Sequence, residues 1–111
     1  METIVGGNIF IRKGQIEMAG ETVDGHEHNF DHVTIVKSGS MRIEQLDEAG
    51  NVVRSVEKVA SANNSHVLIL AGAIHRLTAL EDNSSYWCVY AHRDPQGELV
   101  EHYDGWKEAY E

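Results

Sequence analysis

Apolar and polar residues alternate at short period along much of this chain. Met41-Arg42-Ile43-Glu44-Gln45-Leu46 switches between the two, which predicts a strand with one face in a core and the other in water. Asp47-Glu48-Ala49-Gly50-Asn51 follows as a hairpin loop, and residues 52–59 read as the return strand. Val33-Thr34-Ile35-Val36 has no polar break beyond one threonine and is β-branched throughout, so it predicts a strand buried on both faces. Further short strands are expected over residues 9–11, 15–18, 67–70, 74–80 and 86–91. Turn residues separate them: Lys13-Gly14, Lys37-Ser38-Gly39-Ser40, residues 61–65, Ala71-Gly72-Ala73 and residues 81–85. On the last of these strands, alternation sets Trp87 and Val89 on one face and Tyr86, Cys88 and Tyr90 on the other. Strands at this spacing, with no long amphipathic helix between them, predict an all-β sandwich or barrel.

Length and composition narrow the picture. The 111 residues fit a single domain, 1–111, with a barrel core over about 4–91 and an extension over 92–111. That extension mixes Leu99, Val100, Tyr103, Trp106 and Tyr110 with acids, and a short helix packing Trp106 onto the barrel is one expectation for it. The formal net charge of -9, without any Lys/Arg cluster, repels a phosphate backbone, so no nucleic acid is expected as a partner. One cysteine, Cys88, excludes an intrachain disulfide and favours a cytoplasmic setting. The first residues do not read as a secretion signal, and no apolar run is long enough to span a membrane as a helix.

Candidate chemistry lies in the histidines. Four of the seven fall into two local patterns, Gly20-x5-His26-x-His28-x3-His32-x6-Gly39 and Gly72-x2-His75. Residues two apart on extended backbone project from one face, so His26 and His28 can grip the same ion. His32 shares their parity, and a bend before it lets it reach the same point. His75 starts a later strand that can lie beside the first. Imidazole donors suit Fe, Ni, Zn and Cu, and Mn less well. A divalent metal held by His26, His28, His32 and His75 is therefore expected. His66, His92 and His102 stand outside the patterns and read as structural or surface residues. Arg42 and Arg76 are the bases nearest the patterns and read as solvated. No Ser/His/Asp hydrolase pattern, phosphate-binding Gly loop or Cys-x-x-Cys pair is present.

Gly20, His26, His28 and Gly39 resemble the first cupin motif, Gly-x5-His-x-His-x3-Glu-x6-Gly, and Gly72 with His75 resembles the second, Pro-x-Gly-x2-His-x3-Asn. The chain departs from these motifs at three places: His32 stands for the glutamate, Leu70 for the proline and Ala79 for the asparagine. The resemblance implies a double-stranded β-helix, the jelly-roll or cupin barrel. It also implies a small metalloenzyme with dioxygenase-like oxidoreductase or lyase/isomerase-like chemistry on a small polar molecule. Replacing a carboxylate ligand by His32 makes the site more positive by about one charge, which favours an anionic or enolate ligand. Alternatively His32 turns away and leaves three histidines. Two other readings stay open: a non-catalytic small-molecule or metal-binding module, and a metal-free sugar isomerase-like barrel with His75 or Tyr90 as base. No acid/base residue is assigned. A homodimer, by strand exchange or sheet packing, is expected because small barrels expose sheet edges and apolar faces.

Overall fold

Nine strands form among the residues described in the computed structural model, which are 2–6, 8–24, 31–93 and 96–99. In chain order they are β1 (Glu2–Gly6), β2 (Ile9–Ile16), β3 (Thr22–Asp24), β4 (His32–Ser38), β5 (Ser40–Leu46), β6 (Val52–Val59), β7 (His66–Ile69), β8 (Ile74–Ala79) and β9 (Ser84–Ala91). They build two antiparallel sheets, one of five strands in the order β1-β2-β9-β4-β7 and one of four in the order β3-β8-β5-β6. This is the all-β jelly roll anticipated above. Among the described residues no helix is long and apolar enough to cross a membrane. The tail beyond Leu99, including Trp106 and His102, lies outside the described residues; Leu99 itself bridges back to Arg93.

The hairpin of β5 and β6 follows its alternation closely. Met41 and Ile43 are buried while Arg42 and Glu44 turn outward. The Asp47 carboxylate ties the loop by accepting the N–H of Ala49 at 3.0 Å and of Asn51 at 2.8 Å. Elsewhere the boundaries shift. Lys13-Gly14 is not a turn: β2 runs unbroken through it, pairing with β1 on one side and β9 on the other. Gly14 stands opposite Tyr86, and an added Cβ would overlap the Tyr86 ring. The glycine is there to make room for an aromatic side chain laid across it, a use that sequence shares with turn formation. Strands β1 and β3 lie where no alternation announced them. The β4 strand carries its apolar run as read, but its second face is only half covered: Val33 and Ile35 are half-buried, while Thr34 and Val36 are buried.

The core lies between the sheets: Ile16, Val36, Ile69 and Tyr86 from the larger, and Met41, Ile43, Leu77 and Ala79 from the smaller. Each such large apolar side chain contributes about 1.5–3 kcal/mol by leaving water. The chain passes from one sheet to the other through a single residue, Gly39, between β4 and β5. Gly39 has a φ of +69° and lies against the fully buried Ser84, so both the backbone and the space require glycine. Ser84 Oγ donates towards the carbonyls of Ser40 (3.2 Å) and Glu81 (2.8 Å), which closes this end of the barrel. The interior is graded along its length. From the Gly39 end, β4 turns Val36, Thr34 and His32 inward, and β8 turns Ala79, Leu77 and His75 inward. The opposite end is therefore the polar one.

Candidate metal centre

His32 opens β4 opposite Ile69 of β7, and His75 lies on β8 opposite Gln45 of β5, so the two histidines come from different sheets. Both are buried, at 4% and 8% exposure, and their ring centres are 5.2 Å apart at an interplanar angle of 54°. His32 thus faces inward, towards His75. A separation of this size fits two imidazoles sharing an ion at about 2.0–2.1 Å from each nitrogen.

Local structure holds the pair. Gly72 has a φ of +84° in the turn after β7, and the Ala73 N–H closes that turn on the Leu70 carbonyl at 3.1 Å. His75 Nδ1 lies 3.4 Å from the Ala73 carbonyl. With Nδ1–H donating there, Nε2 keeps the lone pair that a metal needs. Asp31 Oδ1 accepts the Ala71 N–H at 2.8 Å. That bond joins the residue before His32 to the turn before His75, and so couples the two histidine-bearing segments. His26 and His28 lie outside the described residues, and among the described residues no group of three or more His, Cys, Asp or Glu converges as a ligand set. The described half of the predicted set is chemically apt: two buried imidazoles, the donor type that Fe, Ni, Zn and Cu accept.

The register of β9 decides its faces. Tyr86 is core, so Cys88 and Tyr90 look inward with it, and Trp87 looks out between Lys13 (Nζ 5.2 Å from the ring centre) and Lys37 (4.6 Å). Tyr90 meets His32 edge-on at 6.5 Å and stacks on Phe10 at 4.9 Å; Phe10 in turn stacks on His92 at 5.9 Å. Burial pushes the Cys88 thiol up, so it stays protonated at neutral pH, 3.5 Å from Thr34 Oγ1. Burial also raises the Tyr90 and Tyr86 phenols.

One inward residue was not anticipated. Arg12 stands opposite Cys88, in phase with Phe10, Gly14 and the buried Ile16, and its charge acts on Tyr86, Cys88 and Tyr90. Its parity with Phe10 and Ile16 was the available signal, masked by the turn read into Lys13-Gly14. Arg76 and Arg42 point outward, onto Glu44 at 3.0 Å and Glu57 at 3.7 Å. His66 is exposed on the outer face opposite Ile35. A cleft of about 540 Å3 opens beside the pair, lined by Ile43, Gln45, Arg54, Val67 and Ile69, and reaches His75. That volume is in the range of small-molecule sites.

Solved structures settle the architecture. A cupin-2 domain protein from Shewanella frigidimarina superposes with a TM-score of 0.57 at 19% identity, covering 77% of this chain and 72% of its own. This chain has the cupin fold. KdgF from Halomonas gives a TM-score of 0.62 at 15% identity over 81% of this chain and 75% of its own. Oxalate decarboxylase from Bacillus subtilis gives 0.63 at 17% identity over 85% of this chain, which spans only 24% of that larger cupin. No protein-family model matches the sequence, and no curated protein matches it.

Proposed function

We propose that this cupin binds one divalent ion through His26, His28, His32 and His75 and acts with it on a small anionic molecule. The observation that carries the reading is the burial of His32 and His75, from two sheets, with ring centres 5.2 Å apart. A bound divalent ion supplies Lewis acidity and open coordination positions there, as dioxygenase-like or lyase/isomerase-like chemistry needs. The chain supplies the rest. Arg12 draws an anionic group into the barrel, Phe10 and Tyr90 wall the polar end, and the cleft at His75 gives the molecule space. Four imidazoles leave the site cationic, which matches the anion.

A second reading has a specific observation behind it. Tyr90 lies edge-on to His32, and a His/Tyr pair can move protons without a metal, as in a sugar isomerase-like barrel. Elemental analysis of untagged protein purified without chelator separates the two. About one equivalent of Fe, Ni, Zn, Cu or Mn is expected. His75→Ala should weaken the metal at least tenfold, and His66→Ala should leave it unchanged. Protein that stays metal-free after reconstitution overturns the metal reading and leaves the His/Tyr reading standing.

A further inference from the structure

The cleft that reaches His75 is lined from both β6 and β7, the edge strands of the two sheets, so it lies where the sandwich is open. One row of the smaller sheet crosses it. His75 on β8 pairs with Gln45 on β5, and Gln45 pairs with Arg54 on β6. This row shares the inner face with Ile43, which is buried two residues before Gln45. The next row inward, Leu77, Ile43 and Val56, is wholly apolar. Val67 and Ile69 of β7 form the opposite wall. The side chains that enter the cleft from the smaller sheet are therefore polar along one line only, over an aliphatic floor.

The chain carries 18 acids against 9 lysines and arginines, and the other arginines of this sheet have taken carboxylates: Arg76 lies 3.0 Å from Glu44 and Arg42 3.7 Å from Glu57. Among the described residues, neither the exposed Arg54 guanidinium nor the half-buried Gln45 amide has a side-chain partner. Glu44, the one acid in the described lining, turns its carboxylate out of the row onto Arg76. Arg12 lies on the larger sheet and does not line the cleft. An anionic group in the cleft therefore meets Arg54. We propose that Arg54 holds the carboxylate of a monocarboxylate ligand with a short aliphatic body, whose far end carries an oxygen that lies at His75. The Gln45 amide donates to the ligand between the two ends. His75 and Arg54 stand two strand spacings apart, roughly 10 Å between Cα atoms. The planar guanidinium fork takes both oxygens of a carboxylate, which selects that group over a neutral one. The floor of Leu77, Ile43 and Val56 suits a methylene body and leaves the hydroxyls of a sugar unpaired. This inference deepens the metal reading above and rests on it only at the His75 end.

An NMR titration of the full chain with 5-oxohexanoate and with its uncharged amide, 5-oxohexanamide, tests this. The carboxylate should bind at least about tenfold more tightly than the amide, and it should shift the Arg54 Nε–H resonance. Arg54→Gln, at an exposed position where folding is not at risk, should abolish that preference and leave the affinity for the amide unchanged. Arg42→Gln, outside the cleft, should keep the preference in full. The preference should also survive in protein stripped of metal by a chelator. A preference that persists in Arg54→Gln, or that vanishes from the wild type on stripping, means that the carboxylate is held elsewhere; it overturns the proposal and leaves the metal reading standing. Equal affinity for the two probes, or no binding of either, overturns it as well. A chain that takes up no metal yet keeps the Arg54-dependent preference supports the proposal and sinks the metal reading alone.

Discussion

Across the outer face of the four-stranded sheet, Asp24, Arg76, Glu44 and Ser55 follow one another from β3 to β8, β5 and β6. Across the outer face of the five-stranded sheet the row reads Ile4, Ile11, Val89, Val33 and Leu68. Both sheets are antiparallel and both feed the same core, so the inner faces demand the same chemistry of each. Their outer faces differ at these rows: one is a ladder of charged and polar side chains, and the other is apolar across all five strands. Where the outward residues are apolar as well, as Val33 and Ile35 are on β4, the period-two signal disappears and the strand reads as apolar on both sides.

The largest expected effect attacks the inner face of the five-stranded sheet, where Gly14 leaves no spare volume under Tyr86. Gly14→Ala should cost about 2–4 kcal/mol, since the ring must move out of the core or the two strands must part. Gly50→Ala, in the hairpin of the other sheet, has a φ of +88° but nothing near its Cβ, and should cost only about 1 kcal/mol of backbone strain. Urea midpoints of the two variants check this. Equal costs would mean that the close approach in the larger sheet yields easily.

A smaller effect separates the charges within the four-stranded sheet itself. Glu44 Oε1 accepts from Arg76 Nε at 3.1 Å and Nη2 at 3.0 Å, with the two side chains 12% and 31% exposed. Arg42 and Glu57 are 3.7 Å apart and 41% and 62% exposed. Glu44→Ala should destabilise by about 1–2 kcal/mol, because it removes a charge-assisted pair that water only partly replaces. Arg42→Ala should stay within ~0.5 kcal/mol. Double-mutant cycles on both pairs give the coupling directly. If the two couplings are indistinguishable, the ladder is surface decoration, and the contrast between the faces loses its energetic side.

Much of this architecture was legible in the chain, and the failures have physical causes. The β5–β6 hairpin was readable because both period and turn chemistry are local. Gly14 was misread because a glycine that opens a turn and one that admits a ring look alike, and Tyr86 is distant in sequence. The strands β1 and β3 carried no alternation and owe their place to pairing with β2 and β8. For the site, the motif spacings named His32 and His75, and the structure brings those two together; His26 and His28 fall outside the described residues. Arg12 was hidden by the turn read into Lys13-Gly14, and the inward turn of Tyr90 was not legible, because strand parity fixes which residues share a face but not which face is the interior. Only the register against a known core residue, Tyr86, decides that.

The smallest effect belongs to the loop that ends the charged sheet. The bond that the Asp47 carboxylate accepts from the Asn51 backbone is the largest cause holding its pKa below the ordinary 3.8; burial opposes it, and bonds from the Asn51 side chain and the Ala49 and Gly50 backbone add to it. A depressed folded-state pKa means that the contribution to stability is complete above the unfolded value and is lost as pH falls through the folded one. The hairpin loop should therefore be indifferent to pH from neutrality down to about pH 5 and loosen only below about pH 4. Following the Ala49 and Asn51 amide resonances through an acid titration reads this directly, and Asp47→Asn should flatten the response. A carboxyl that titrates in the folded protein at or above 3.8 would show that the loop bonds do not favour the charged form. The pH-dependent opening of this loop should leave the row Ile4, Ile11, Val89, Val33 and Leu68 of the other sheet untouched, because none of its side chains titrates.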